Sequence, residues 1–109
     1  MNAEVSQAVT AAGTQHQVQL DWQEASVGTS FEIYRSQTQG GQDYTTPLAS
    51  VPVGTLTYTD VLLLVEGQTY YYTVLAVDVS GVKSDPSNEA SALIPTKPSS
   101  PFNLVAKPL

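Results

Sequence analysis

At 109 residues with 41% apolar side chains, the chain is long enough for one two-layer core and too short for two. It contains no cysteine, which excludes disulfides, thiolate metal sites and thiol chemistry. Four basic residues against ten acidic ones give a net charge of −6; with Lys97 and Lys107 in the Pro-rich tail, residues 1–94 hold two bases against all ten acids, a net of −8, and such a surface repels phosphate backbones and anionic lipid headgroups.

No apolar run approaches the roughly 18 residues that cross a membrane, and Met1-Asn2-Ala3-Glu4 has neither the basic nor the apolar region of a secretory leader. Ala8-Val9-Thr10-Ala11 suits a first strand that pairs with the second. Val18-Gln19-Leu20-Asp21-Trp22 alternates apolar and polar at period two, and Phe31-Glu32-Ile33-Tyr34-Arg35 repeats the pattern, as strands with one buried face do. Weaker strands are predicted over residues 48–53, 55–61 and 88–94. From Tyr70 to Val77 both faces are apolar, which predicts a central strand. Clusters such as Ser26-Val27-Gly28-Thr29, Thr38-Gln39-Gly40-Gly41 and Ser84-Asp85-Pro86-Ser87 punctuate these runs, and no stretch sustains a helical apolar period. Frequent turns between short strands predict an all-β, two-sheet sandwich. The first, second and fifth strands belong in one sheet and the other four in the second. Val9, Val18, Leu20, Trp22, Phe31, Ile33, Tyr70, Tyr72, Val74, Ala76, Ala90 and Ala92 form the expected core.

Several motifs carry a family resemblance. Val18-x-Leu20-x-Trp22, Phe31-x-Ile33-Tyr34-Arg35-Ser36, Tyr58-Thr59-Asp60, Leu64-x-x-Gly67-x-x-Tyr70-x-Tyr72 and Ser87-Asn88-Glu89 together resemble a fibronectin type III domain over about residues 5–95. The resemblance implies an immunoglobulin-like sandwich of seven antiparallel strands. It makes Trp22 the core indole of the second strand, and Tyr70 a tyrosine-corner residue with a buried ring and a hydroxyl bonded to backbone upstream. Glu66 stands where the family usually has Pro. The step from Tyr58-Thr59-Asp60 to Tyr70 is one residue longer than the common spacing, so the corner between the fifth and sixth strands should bulge.

Four of the seven prolines follow Ile94, as in a stiff linker. Pro101-Phe102-Asn103-Leu104-Val105-Ala106 resembles the opening of another such domain, with Leu104 and Ala106 echoing Val9 and Ala11. The expected organisation is one domain over residues 1–95, then a Pro-rich linker over 96–109 that leads into a further domain. The tail should be extended and touch its own sandwich or a neighbouring chain, anchored by Phe102 or Leu104.

The chemistry-bearing residues are sparse. His16, the only histidine, is expected as a solvated side chain on a loop between the first two strands. Asp78, Asp85 and Glu89 lack the one-three-five oxygen spacing of a calcium loop and are expected as solvated loop acids. There is no Gly-x-Ser-x-Gly turn, no second imidazole, and no cleft in which Asp21 and Glu24 could flank a sugar. The expectation is a non-enzyme without metal or cofactor.

Binding features are subtler. Tyr34, Tyr44 and Tyr71 could offer rings for sugar stacking or protein contact. Val79, Val82 and Lys83 lie in the loop Asp78-Val79-Ser80-Gly81-Val82-Lys83-Ser84, where Arg-Gly-Asp is absent. Val61-Leu62-Leu63-Leu64-Val65 breaks the alternation, so one or two of its side chains should lie near the surface; the run either over-fills the corner beneath Tyr70 or, with Leu62 and Leu63 as candidates, contacts a neighbouring module or subunit. The leading expectation is a monomeric spacer module of a secreted or cell-surface multidomain protein, with neighbouring domains of its own chain as partners and neither nucleic acid nor membrane insertion. The alternative is a protein- or carbohydrate-binding adhesion module, or an accessory domain of a polysaccharide-degrading enzyme.

Overall fold

The computed structural model describes residues 3–9, for their backbone pairing, and residues 16–109. The strands are β1 (Ala3–Val9), β2 (His16–Trp22), β3 (Ser30–Ser36), β4 (Ala49–Val51), β5 (Thr57–Asp60), β6 (Thr69–Val77) and β7 (Ala90–Leu93). Six of them, from β2 on, are described with their side chains. All pairings are antiparallel, in a three-stranded sheet ordered β1-β2-β5 and a four-stranded sheet ordered β4-β3-β6-β7. The chain is all-β, and its two antiparallel sheets are those of a β-sandwich.

Alternation decides which side chains meet between the sheets. Val18, Leu20 and Trp22 of β2 face Phe31 and Ile33 of β3, with Tyr70, Tyr72, Val74 and Ala76 of β6 and Ala92 and Ile94 closing the cluster. The Trp22 ring meets Phe31 edge-on, 5.5 Å between centroids. Each such large apolar side chain removed from water is worth about 1.5–3 kcal/mol. One expected core residue differs, and one lies outside the described side chains. Ala90 sits half-buried at the rim, because β7 begins at that residue and covers it from one side only; Val9 lies outside the residues whose side chains are described.

Between β6 and β7, two serines bond the free edge of β6. Ser84 and Ser87 donate backbone N–H groups to the carbonyls of Ala76 and Val74, at 2.8 and 2.9 Å. Their hydroxyls in turn accept the N–H groups of Ala76 and Val74, both at 2.9 Å. Pro86 has no N–H to give, so this arrangement satisfies the edge of β6 where a regular ladder would fail.

His16 is the first residue of β2 and half-buried, not a solvated loop residue, because β2 begins earlier than its alternation indicates. The tail touches its own sandwich through the Lys97 N–H on Glu66 Oε1 at 3.3 Å, but not through the expected anchors. Every residue in 95–109 is exposed, and Phe102 and Leu104 are 85% and 96% accessible, so neither anchors it to the sandwich. Prolines keep this segment extended and deny it ladder donors, and the molecule measures 76 Å along its longest axis against 25 and 19 Å across.

Candidate functional site

Between the sheets lies a buried polar network. Asp60, at the end of β5, is fully buried. Its Oδ2 accepts from Arg35 Nη1 of β3 at 2.8 Å and from the Tyr72 hydroxyl of β6 at 2.6 Å, and its Oδ1 accepts the Leu62 N–H at 3.0 Å. Arg35 Nη1 also donates to the Leu62 carbonyl at 2.7 Å, and its guanidinium lies 5.1 Å from the centre of the Tyr70 ring. Burial, and then the bond to Asp60, push the Tyr72 phenol far above its usual range. Asp60 is fully buried, and the network ties the three-stranded sheet to the four-stranded one.

Next to it is the corner between β5 and β6. The Tyr70 hydroxyl accepts the Val65 N–H at 3.0 Å and donates to the Leu63 carbonyl at 3.2 Å, the upstream backbone bonding that the tyrosine-corner reading implied. Leu63 has φ +54°, a left-handed conformation at the turn of this corner. Four of the five residues in the apolar run, Val61, Leu62, Leu63 and Val65, are exposed, and Leu64 alone packs on the core. This is more than the one or two expected: the corner bonds through backbone, and its left-handed turn leaves only one side chain aimed inward.

The opposite end carries the β2–β3 and β6–β7 loops. Asp78 is not an idle loop acid, since its carboxylate accepts the N–H groups of Ser80 and Val82, both at 2.9 Å. Gly81, at φ +86°, completes the tight turn, and Val79 projects from its tip, 95% exposed. In the facing loop the Thr29 hydroxyl donates to the Ser26 carbonyl at 3.2 Å and leaves Val27 equally exposed. An open groove of about 370 Å³ runs between the loops, with Val27, Ala76 and Val82 as apolar walls and Asp78 and Lys83 as charged ones.

Lys83 is not a free cation there. Its Nζ lies 3.0 Å from Glu32 Oε1, which also accepts the Tyr34 hydroxyl at 2.6 Å. The Tyr34 bond, helped by Lys83, holds the Glu32 carboxyl below its ordinary value against the opposing effect of burial. Burial, then the bond to Glu32, raises the Tyr34 phenol.

Tyr34 itself corrects an expectation: it is buried, not offered to a ligand. Residues 37–47 cross the outer face of the four-stranded sheet and lay Tyr44 on Tyr34, edge-on at 4.9 Å. The Tyr44 and Thr73 hydroxyls are 3.2 Å apart. Glu89 fastens this strap, its Oε2 accepting the Gly40 N–H and the Gln42 amide at 2.9 and 2.8 Å. Tyr71 is half-buried on the same outer face, and Tyr44 is the most exposed of the three rings at 38%.

The candidate residues therefore fall into separate places. Val79, Val82 and Lys83 share one end of the sandwich, Leu62 and Leu63 occupy the corner between β5 and β6, and Tyr34 and Tyr71 lie on the outer sheet face. Trp22, Ile33, Tyr70, Tyr72 and Val74 are core. Sequence reasoning missed Asp60 and Arg35 as a pair and Glu89 as a fastener. The signal for the first was that Arg35 is one of two bases before the tail, on a face otherwise apolar. Among the described residues no group of three or more acids and imidazoles gathers as a metal site.

No family model matches the chain, and no curated protein does. Among solved structures it is similar to an Fn3-like protein from Clostridium thermocellum, 29% identical with TM-score 0.63, over 88% of this chain and 93% of that one. It is also similar to part of a β-1,2-glucanase from Parabacteroides distasonis, 27% identical with TM-score 0.63, over 75% of this chain and 11% of that one. A pectate lyase from Pectobacterium carotovorum shares the fold at 21% identity and TM-score 0.61, over 84% of this chain and 27% of that one. The chain thus spans only a small part of the enzymes it resembles.

Proposed function

We propose that this chain is a fibronectin type III module that serves as a non-catalytic accessory spacer in an extracellular, carbohydrate-active protein. One observation carries the reading. The chain is similar to 93% of the solved chain of an Fn3-like protein and to only 11% of a β-1,2-glucanase; a unit that matches so small a part of a larger enzyme supports the reading of a module whose parent supplies the chemistry. The buried Asp60 network and the committed Glu32–Lys83 pair support the same reading, since neither leaves a reactive group open to substrate. In this reading residues 1–95 are the module and residues 96–109 a linker into a further module of the same kind, with the isolated module monomeric.

The test is direct. The purified chain, incubated with β-1,2-glucan and with polygalacturonate, is expected to release no reducing or unsaturated ends above a buffer control. Turnover that persists through purification and disappears on thermal unfolding would overturn the proposal.

A second reading is supported by the exposed valines Val27, Val79 and Val82 around the groove: that end of the sandwich binds a protein ligand. Val79→Ser with Val27→Ser would then abolish capture by the parent's partner without altering the melting temperature.

A further inference from the structure

The corner between β5 and β6 spends side chains that its own geometry does not use. Its fold depends on backbone groups: the Leu62 N–H and carbonyl hold Asp60 and Arg35, and the Leu63 carbonyl and Val65 N–H hold Tyr70. None of those bonds needs a leucine or a valine. At Leu63 the choice is costly as well, because a left-handed φ is disfavoured for a side chain with a Cβ and is met cheaply by Gly or Asn. Yet Leu63 is 79% exposed, so burial in this module does not offset the cost. Val61, Leu62 and Val65 stand beside it, also open to solvent, in a segment with no charge between Asp60 and Glu66. A contiguous apolar patch of this kind marks a contact surface.

The chain itself indicates what covers the patch. After β7 the backbone is fastened to this same corner: Ile94 donates its N–H to the Gln68 carbonyl and accepts the Gly67 N–H, both at 2.9 Å. The Thr96 methyl lies 3.3 Å from the position a Cβ on Gly67 would take, and the Lys97 N–H meets Glu66 Oε1 at 3.3 Å. The chain after residue 97 therefore leaves the sandwich from this corner. The outgoing segment is apolar too, with Phe102, Leu104 and Val105 exposed. We propose that Val61, Leu62, Leu63 and Val65 form the face against which the next module of the same chain packs, so that consecutive modules are held at a set angle and do not swivel freely. This rests on the tandem reading above, since the occupant is the module that the linker enters. Because tethering supplies a high effective concentration, a modest patch suffices for docking that free modules would not achieve.

The test uses the parent chain's two consecutive modules as one protein. Nitrogen-15 relaxation should show both modules tumbling as one body, and the Leu62 and Leu63 methyls should be shielded from a soluble paramagnetic probe that reaches them in the single module. Leu62→Ser with Leu63→Asn and Val65→Ser should return each module to its isolated tumbling rate, while Val27→Ser with Val79→Ser at the far end should leave the coupling intact. Independent tumbling of the unaltered pair, equal methyl exposure with and without the neighbour, or coupling that survives the triple substitution would each overturn the docking proposal while leaving the tandem reading standing. A parent chain with no module after the linker would instead overturn the tandem reading, and this proposal with it. The methyl measurement needs no substitution, so it decides the matter even if the triple variant fails to fold.

Discussion

The Tyr72 hydroxyl donates to the Asp60 carboxylate at 2.6 Å, a bond that crosses from the four-stranded sheet to the three-stranded one. With Arg35 on the same oxygen, it makes Asp60 a buried charge that depends wholly on its partners. Removing one partner from a buried pair costs more than the pair contributes, because the other is left uncompensated. Asp60→Ala should therefore destabilise the domain by about 3–5 kcal/mol, and Tyr72→Phe by about 1–2 kcal/mol. In urea unfolding the double substitution should cost clearly less than the two singles together. Additive effects would mean the groups are not coupled.

Adjacent tyrosines on β6 should behave differently. Tyr70 is fully buried and its hydroxyl closes the corner, whereas Tyr71 is half-buried on the outer face. Tyr70→Phe should lower stability by about 1–2 kcal/mol, because Leu63 and Val65 lose a buried partner. Tyr71→Phe should stay within about 0.5 kcal/mol of the parent. Equal shifts in the urea midpoint would contradict this account of the strand's two faces.

Much of this was legible beforehand. The inward residues of β2, β3 and β6 follow from period-two alternation, and Tyr70 from its place three residues after Gly67. The Arg35–Asp60 pair was not, because its members are far apart in sequence and meet only when the sheets stack. Tyr34 reads as an outward residue by alternation and is outward, but nothing in the spacing of residues 37–47 shows that this loop folds over it. The run from Val61 to Val65 reads as an over-filled corner with one or two side chains at the surface. Only the corner's geometry reveals that one side chain in five turns inward.

Leu63 offers a stabilising change. Leu63→Asn keeps the backbone bonds of the corner and suits φ +54° better, so the isolated domain should gain roughly 0.5–1 kcal/mol. A fall in the thermal midpoint would show that the leucine side chain is needed within this module.

Stability should be highest between about pH 5 and 9. Tyr72 and Tyr34 have phenols raised above their ordinary 10.0, so the folded state keeps protons that the unfolded chain releases; their contribution is complete below pH 10 and is lost as pH rises further. Glu32 is lowered from 4.5, so its contribution is present above that value and fades as pH falls below it. Urea midpoints across this range should show both limbs. Tyr72→Phe should flatten the alkaline limb alone, and an unchanged alkaline limb in that variant would contradict the assignment.

The central claim is that this unit supports a catalytic chain without taking part in the chemistry. The most direct measurement is kcat of the parent enzyme on a short soluble oligosaccharide, with residues 1–95 present and with them deleted. The account predicts the same kcat in both proteins. A fall to the uncatalysed rate in a deletion that still folds would contradict it.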